Sequence, residues 1–554
     1  MHIVPTRGAT CAAILSVAIG LGLVACGDDE GEASAAPDAG PPEPHDAGTD
    51  TGPPPDAGPP RRIFAKRWVV EVHAQPARDS ENLGYLRAGA LLQATTALPL
   101  GTEGCREGWF ELTTGGYVCN GRDVIAFTGR RPPARRPAQP DFSAPLPYEY
   151  GRTRRDGAPM YRRLPSDEEA AQFEGYRIPG VAPALVEGAP EAAAAPETDA
   201  PAPIVEAEVM PASGAAATSA AEGAIEPTDV DAGVLTLGAL AGDPDSVLQR
   251  RLVSGFIVSL DRDLRTGPRR YWRTLSNGIV PYLQVGLVHG SEFRGEALER
   301  IAASASVDSG VDAGLDAGQV LDAAHMVLPI GYVTSSKTAM FTRGHDGRLR
   351  RGRRPGYHHV FRVTSELDER GAHYLVRSDA EIYREDEVTV IRAAASAPEG
   401  VGPTETWIDV DLAHQTLVAY DGMTPVYATL VSSGRIRDPE DPLQTHDTPT
   451  GLWRIRSKYV THTMDGDHAT DGPYSIEDVP YVMYFELAFA LHSAFWHDGF
   501  GRPRSHGCVN LAPADAHWLF DWAHPRLPEG WHTVFPTPAD PSTWVYVHGT
   551  TPEG

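Results

Sequence analysis

Hydrophobic and polar residues alternate most regularly towards the C-terminal end of the chain. Trp407-Ile408-Asp409-Val410-Asp411-Leu412 has period two. Gln415-Thr416-Leu417-Val418-Ala419-Tyr420 follows, then a turn at Asp421-Gly422 and a third strand-like run from Val426 to Ser433. Successive side chains of an extended chain point to opposite faces, so the pattern predicts antiparallel strands. Leu452-Trp453-Arg454-Ile455 and Tyr481-Val482-Met483-Tyr484-Phe485 extend the series. Pro513 suits the first turn of a helix, and Trp518, Leu519 and Trp522 would give that helix one apolar face. Residues 404–549 are therefore expected to form a β-sandwich-like domain with a short helix near its end.

Upstream the signal is shorter in range. Trp68-Val69-Val70-Glu71-Val72, Leu91-Leu92-Gln93-Ala94, Trp109-Phe110-Glu111-Leu112 and Tyr117-Val118 punctuate residues 61–128. This arrangement resembles a bacterial SH3-like domain, which implies a small barrel that either binds wall or peptide or serves as a spacer. Residues 143–403 read as a β-rich region. Its folded-looking pieces, 143–181, 246–304 and 324–395, are separated by an Ala/Pro/Glu-rich run (182–245) and an Asp-Ala-Gly run (305–323). Met160-Tyr161 and Met340-Phe341 follow similar approaches. Two SH3-like units fit this, and so does one β domain with disordered insertions, because each doubling of loop length costs only about 0.6 kcal/mol. Residues 26–60 repeat Asp-Ala-Gly at 38–40, 46–48 and 56–58 between prolines and are expected to be a disordered tether. Residues 129–142 form a basic linker around Arg130, Arg131, Arg135 and Arg136. A second basic cluster, Arg348, Arg350, Arg351, Arg353 and Arg354, reads as a solvated hairpin tip or a contact for an anionic glycan or lipid. The whole chain is mainly β and multi-domain.

Composition narrows the partners. The 554 residues carry a formal net charge of -26, which argues against a nucleic-acid partner. At the N-terminus, Arg7 precedes a short apolar stretch from Cys11 to Gly22, too short to span a bilayer. Leu23-Val24-Ala25-Cys26 then meets the polar run Gly27-Asp28-Asp29-Glu30. This stretch resembles the lipobox of bacterial lipoproteins. The resemblance implies a signal peptide over 1–25, lipidation of Cys26, and a membrane partner through that anchor. An ordinary secretory signal is the alternative. Gly27 after the cysteine would imply outer-membrane sorting in a Gram-negative, periplasm-facing lipoprotein. The chain has five cysteines: Cys11, Cys26, Cys105, Cys119 and Cys508. Cys105 and Cys119 flank a strand-turn-strand pattern and can form a disulfide in an oxidising compartment, closing a loop of about 15 residues for roughly 3 kcal/mol. Cys508 is then the one thiol left over.

Cys508 sits in Ser505-His506-Gly507-Cys508-Val509-Asn510. In an extended segment His506 and Cys508 would share a face, and Gly507 would leave room for a substrate backbone. An imidazole beside a thiol favours the thiolate and builds an acyl-transfer site. An inert buried cysteine is one alternative. A zinc site of His492, His497, His506 and Cys508 is another, although the spacing matches no established zinc pattern. Further motifs stand in order upstream: Trp407 to Leu412 with Gln415-Thr416-Leu417, Thr448-Pro449-Thr450-Gly451, Val479-Pro480 running into Tyr481 to Phe485, and His492-Ser493-Ala494-Phe495-Trp496. With Ser505 to Leu511 and Asp515-Ala516, this ordered set resembles the YkuD-type L,D-transpeptidase catalytic domain over 404–549.

The resemblance implies that Cys508 is the nucleophile and His506 the base. Ser493 would orient His506, in some members through its carbonyl, and the backbone around Gly507 and Cys508 would bind the oxyanion. His492, Ser505, Asn510, Tyr484 and Trp496 would line the substrate site. Many members have arginine where this chain has Asn510, which leaves acceptor preference open. The implied substrate is a peptidoglycan stem peptide, joined 3→3 through a cysteine thioester with no cofactor. The same site could serve an L,D-carboxypeptidase, an amidase or a protein-to-wall attachment enzyme. A non-enzymatic wall-tethering lipoprotein is the remaining alternative.

Overall fold

The computed structural model describes residues 59–175, 235–298, 327–436, 446–468 and 472–552. The signal segment, Cys26, nearly all of the tether, the 305–323 insert and most of the 182–245 insert lie outside the described residues.

Strands dominate the N-terminal region, where alternation decides what is buried. In Val69–His73, Val70 and Val72 face inward while Val69 and Glu71 face solvent. They pack with Ile63, Leu86, Leu92, Phe110 and Val118. Arg62–Ala65 lies between Leu91–Gln93 and Val124–Phe127 in a three-stranded sheet. Val69–His73, Asn82–Arg87, Trp109–Glu111 and Tyr117–Cys119 belong to a much larger sheet. The small barrel expected for 61–128 does not close. The reason is that Asn82–Arg87 uses its outer edge to pair with Thr533–Val534, far along the chain. Gly84 permits that approach, since a Cβ there would meet the Thr533 carbonyl oxygen at 2.1 Å. Trp531 completes the core from the same distant segment. Cys105 and Cys119 are joined as a disulfide.

The described parts of 143–403 are rich in strands, which fall into two sets. The first two pieces form one unit. Glu149–Thr153 pairs with both Ile257–Thr266 and Val285–Val288, and Ala158–Tyr161 pairs with Leu248–Leu252. Residues 235–245, expected to be disordered, carry the short helix Leu237–Leu240 with Leu240 buried. The third piece makes its own sheets. Ile330–Tyr332 sits between Val360–Arg362 and Thr389–Ile391, and Phe341–Arg343 joins a five-stranded sheet.

The C-terminal part is a two-layer β arrangement. One sheet runs Glu296–Ala297, Thr424–Leu430, Thr416–Asp421, Thr406–Asp411, Trp544–His548 and Gly451–Arg454. The facing layer is the long hairpin of Ser457–His468 and Gly472–Glu486, followed by Phe489–Ser493 and Val509–Leu511. Ile408, Val410, Leu417 and Ala419 meet Met483, Phe485, Leu491, Val509 and Leu511 between the layers. The first sheet is covered on its other face too, where Trp407 and Tyr420 stack 4.2 Å apart and pack with Ile330, Tyr332 and Ile391. The helix Pro513–Trp522 lies against the hairpin layer and buries Ala516, Leu519 and Phe520. Lys458, fully buried, donates from Nζ to the carbonyls of Phe520, Ala523 and Pro525 at 2.6, 2.6 and 2.8 Å. An ammonium has three protons, so these bonds use all of them and satisfy carbonyls that a helix end leaves open.

Candidate active site

Two short parallel strands build the floor of the site. Leu491 pairs with Val509, His492 with Asn510, and Ser493 with Leu511. Alternation sorts their side chains into two faces. Leu491, Val509 and Leu511 enter the core between the sheets. Ala490 and Cys508 enter a second cluster with Tyr484, Phe495 and Trp496. By the same alternation His492 and Asn510 lie on the face of Cys508. Cys508 is reduced and buried, with Sγ 3.8 Å from the Ala488 carbonyl.

The turn that delivers Cys508 is not extended. Gly507 adopts φ +116°, and a Cβ there would meet the Phe489 ring at 2.4 Å. The missing side chain makes room for Phe489, and the same-face relation expected of His506 and Cys508 does not apply to this bent backbone. Ser505 is buried and locks the turn. Its Oγ donates to the Cys508 carbonyl at 2.5 Å and accepts from the Gly507 N–H at 3.1 Å. That N–H, expected in an oxyanion hole, is therefore committed to the turn. Residues 432–435 run alongside: Ser432 exchanges backbone bonds with Asn510, and Arg435 N–H donates to the Ser505 carbonyl.

The two histidines have distinct environments. His492 Nδ1 lies 3.0 Å from the Ser493 carbonyl. A carbonyl only accepts, so Nδ1 carries the proton and the neutral ring keeps its lone pair on Nε2. His506 Nε2 lies 3.0 Å from Arg435 Nη2. A guanidinium only donates, so His506 Nε2 accepts. The His446 ring stands 4.1 Å from that of His506. The carbonyl expected to orient His506 thus serves His492. The Ser493 hydroxyl is buried without a hydrogen-bond partner.

Residues 405–547 match the model of YkuD, the L,D-transpeptidase catalytic domain. Residues 405–547 are a YkuD L,D-transpeptidase catalytic domain. Among solved structures, the chain is similar to an Enterococcus faecium L,D-transpeptidase at 25% identity and TM-score 0.20, covering 26% of this chain and 50% of that one. An L,D-transpeptidase from Stackebrandtia nassauensis matches at 24% identity and TM-score 0.20, covering 29% and 62%. One from Mycobacterium smegmatis matches at 20% identity and TM-score 0.21, covering 34% and 82%. The match thus spans about half to three-fifths of the length of the first two. No functionally curated protein matches the chain.

Within the transpeptidase domain the other expected residues occupy varied positions. Trp496 flanks the site, its ring 5.9 Å from His492. Asn510 places its amide nitrogen 3.2 Å from His497 Nε2. Tyr484 is buried in the same cluster as Cys508, and its hydroxyl lies 2.9 Å from His462 Nδ1. Among the described residues, no three His, Cys, Asp or Glu side chains converge as a metal site.

Several positioning contacts were not legible in the sequence because the partners are distant. Asp515 is fully buried in the first helical turn, and burial pushes its carboxyl up to about 6. It accepts from the Tyr427 hydroxyl at 2.8 Å, the Gly295 N–H at 2.7 Å and the Thr429 hydroxyl. It thereby ties the segment before Glu296–Ala297 to the transpeptidase domain. On the long hairpin, Asp478 pairs with Arg87 at 2.6 Å while Arg250 Nη2 reaches Glu477 at 3.5 Å. Arg87 and Arg250 come from the two regions upstream of the catalytic domain. Burial raises Asp478, but the Arg87 charge with the Ser259 and Thr461 hydroxyls holds it below the usual carboxylate value.

Proposed function

We propose that the protein is a peptidoglycan L,D-transpeptidase that forms 3→3 cross-links through a Cys508 thioester. The observation that carries the reading is the shared face of Cys508, His492 and Asn510 on two paired strands inside a YkuD domain. In this reading His492 is the base. Its Nδ1–H is held by the Ser493 carbonyl, which leaves Nε2 to take the Cys508 thiol proton. The thiolate attacks the carbonyl of stem residue three, giving a tetrahedral oxyanion. Collapse breaks the amide bond, and the imidazolium returns the proton to the departing D-alanine amine. The side-chain amine of a second stem then attacks the thioester, releasing the thiol and closing the cross-link. His506 fits a supporting role, because its Nε2 already accepts from Arg435 Nη2 at 3.0 Å.

The N-terminal sequence supports a place in the cell envelope, anchored by lipid on Cys26 and facing the periplasm from the outer membrane. A mass spectrum of the mature protein with an unmodified Cys26 would refute that placement. The enzymatic reading is tested by incubating the protein with a tetrapeptide donor without acceptor. Intact-mass analysis should show the donor minus D-alanine attached to Cys508. Attachment to any other residue overturns the assignment.

A further inference from the structure

A groove of about 1030 Å³ runs between the transpeptidase domain and the upstream β unit. The strands Glu149–Thr153 and Val285–Val288 contribute one wall, with Arg152 and Arg154 at the C-terminal end of the first. Phe495, Trp496 and His497 contribute the other. The groove borders the catalytic strands. Trp496 lies beside His492, and Val288, Phe495 and Trp496 pack in the same apolar cluster as Cys508.

Arg152 is anomalous in this wall. It is only partly exposed, and among the described residues its one side-chain hydrogen bond is from Nη2 to the Trp496 carbonyl at 3.2 Å. Its Nε is buried without a partner. Neither Arg152 nor Arg154 forms an ion pair among the described residues. Glu292 and Asp498 also line the groove and pair with neither arginine, and Asp498 accepts from the Ser291 hydroxyl. Burial with no opposing carboxylate pulls the Arg152 pKa below the usual arginine value. A guanidinium withdrawn from water without an anion is costly, and its planar fork is shaped for a carboxylate. The aliphatic and aromatic groups around it, Leu287, Val288, Phe495 and Trp496, suit an extended peptide rather than a bare ion.

We propose that this groove holds the stem peptide beyond the reacting bond, with Arg152 and Arg154 binding a free carboxylate of that peptide. The inference rests on the transpeptidase reading and adds a specificity site supplied from outside the catalytic domain. The test uses the full chain carrying Cys508→Ala and measures binding of a tetrapeptide stem by calorimetry. The probes are the peptide with free carboxylates and the same peptide with them amidated. The free acid should bind roughly ten- to hundredfold more tightly, as a charge-assisted bond implies. Arg152→Gln should abolish that preference. Arg154→Gln, at an exposed position that folding tolerates, should reduce it, and Arg152→Lys should keep part of it. Equal binding of acid and amide, binding of neither, or a preference that survives both glutamine variants overturns the proposal. Cys508→Ala turns nothing over, so the readout is independent of the reaction. Acid preference without cross-linking by the native chain would sink the proposed function alone. Cross-linking without acid preference would sink this site alone.

Discussion

Glu477→Gln should stabilise the protein above neutral pH, because the folded chain buries a carboxyl there that water would prefer to ionise. Glu477 is 3% exposed. Oε1 accepts from the Ser276 hydroxyl at 2.7 Å, and Oε2 accepts from the Ser259 N–H at 3.1 Å. Arg250 stands 3.5 Å away, and burial outweighs it, pushing the carboxyl from 4.5 up to about 7. Below about pH 4.5 the folded and unfolded chains both hold the proton, and no penalty arises. Between 4.5 and 7 only the folded chain holds it, so stability falls as pH rises; above 7 the folded chain carries the full cost. At about 1.4 kcal/mol per pKa unit the separation corresponds to about 3 kcal/mol. Glutamine keeps an oxygen for the Ser259 N–H and offers an amide to Ser276, and it has no proton to lose. Its cost is the Arg250 attraction. Urea denaturation of both proteins from pH 5 to pH 8 should therefore show curves that diverge with pH, the variant gaining up to about 3 kcal/mol by pH 8. A difference independent of pH, or a wild type more stable at pH 8, would refute the reasoning.

Other substitutions test other parts of the account. Lys458→Met leaves three buried carbonyls without their donor and should cost about 3–5 kcal/mol in denaturant titration, with loss of helical signal from Pro513–Trp522. Gly507→Ala forces a Cβ against Phe489 at a positive φ, so it should cost about 1–3 kcal/mol and depress acylation of Cys508 more than binding of the peptide. If His492 is the base, His492→Gln should lower kcat/KM by about 10²–10⁴-fold, whereas His506→Gln should lower it less. The reverse order would return the base to His506.

How legible this was in the sequence depended on whether partners were near in the chain. Trp407 to Leu412 alternates because the two faces of that strand meet different layers, and the pattern announced Thr406–Asp411 within a residue. The strand Gly472–Glu486 was visible only from Tyr481 to Phe485. Residues Tyr474 to Phe485 are buried without interruption, so polar Ser475, Glu477 and Asp478 broke a period that burial on both faces had already removed. The Cys508 neighbourhood was readable as a set of residues but not as an arrangement. His492 and Ser493 are adjacent in sequence, yet only the fold shows that one orients the other. Arg435 and His446 gave no signal at all, because what brings them to His506 is the pairing of residues 432–435 with the turn. The closed barrel expected of 61–128 failed for the same reason. Local alternation there is real, but the edge that would close it is satisfied by Thr533–Val534. Arg87 shows the limit most plainly, since nothing near residue 87 indicates a buried carboxylate at residue 478.

The central claim is that Cys508 carries the acyl group between stems. The most direct measurement is the yield of 3→3 dimers from defined disaccharide-tetrapeptides, with the native chain and with Cys508→Ala, resolved by mass spectrometry. The account predicts dimers linked through the third residue of both stems with the native chain, and none with Cys508→Ala. Dimers from Cys508→Ala at a comparable rate would contradict it.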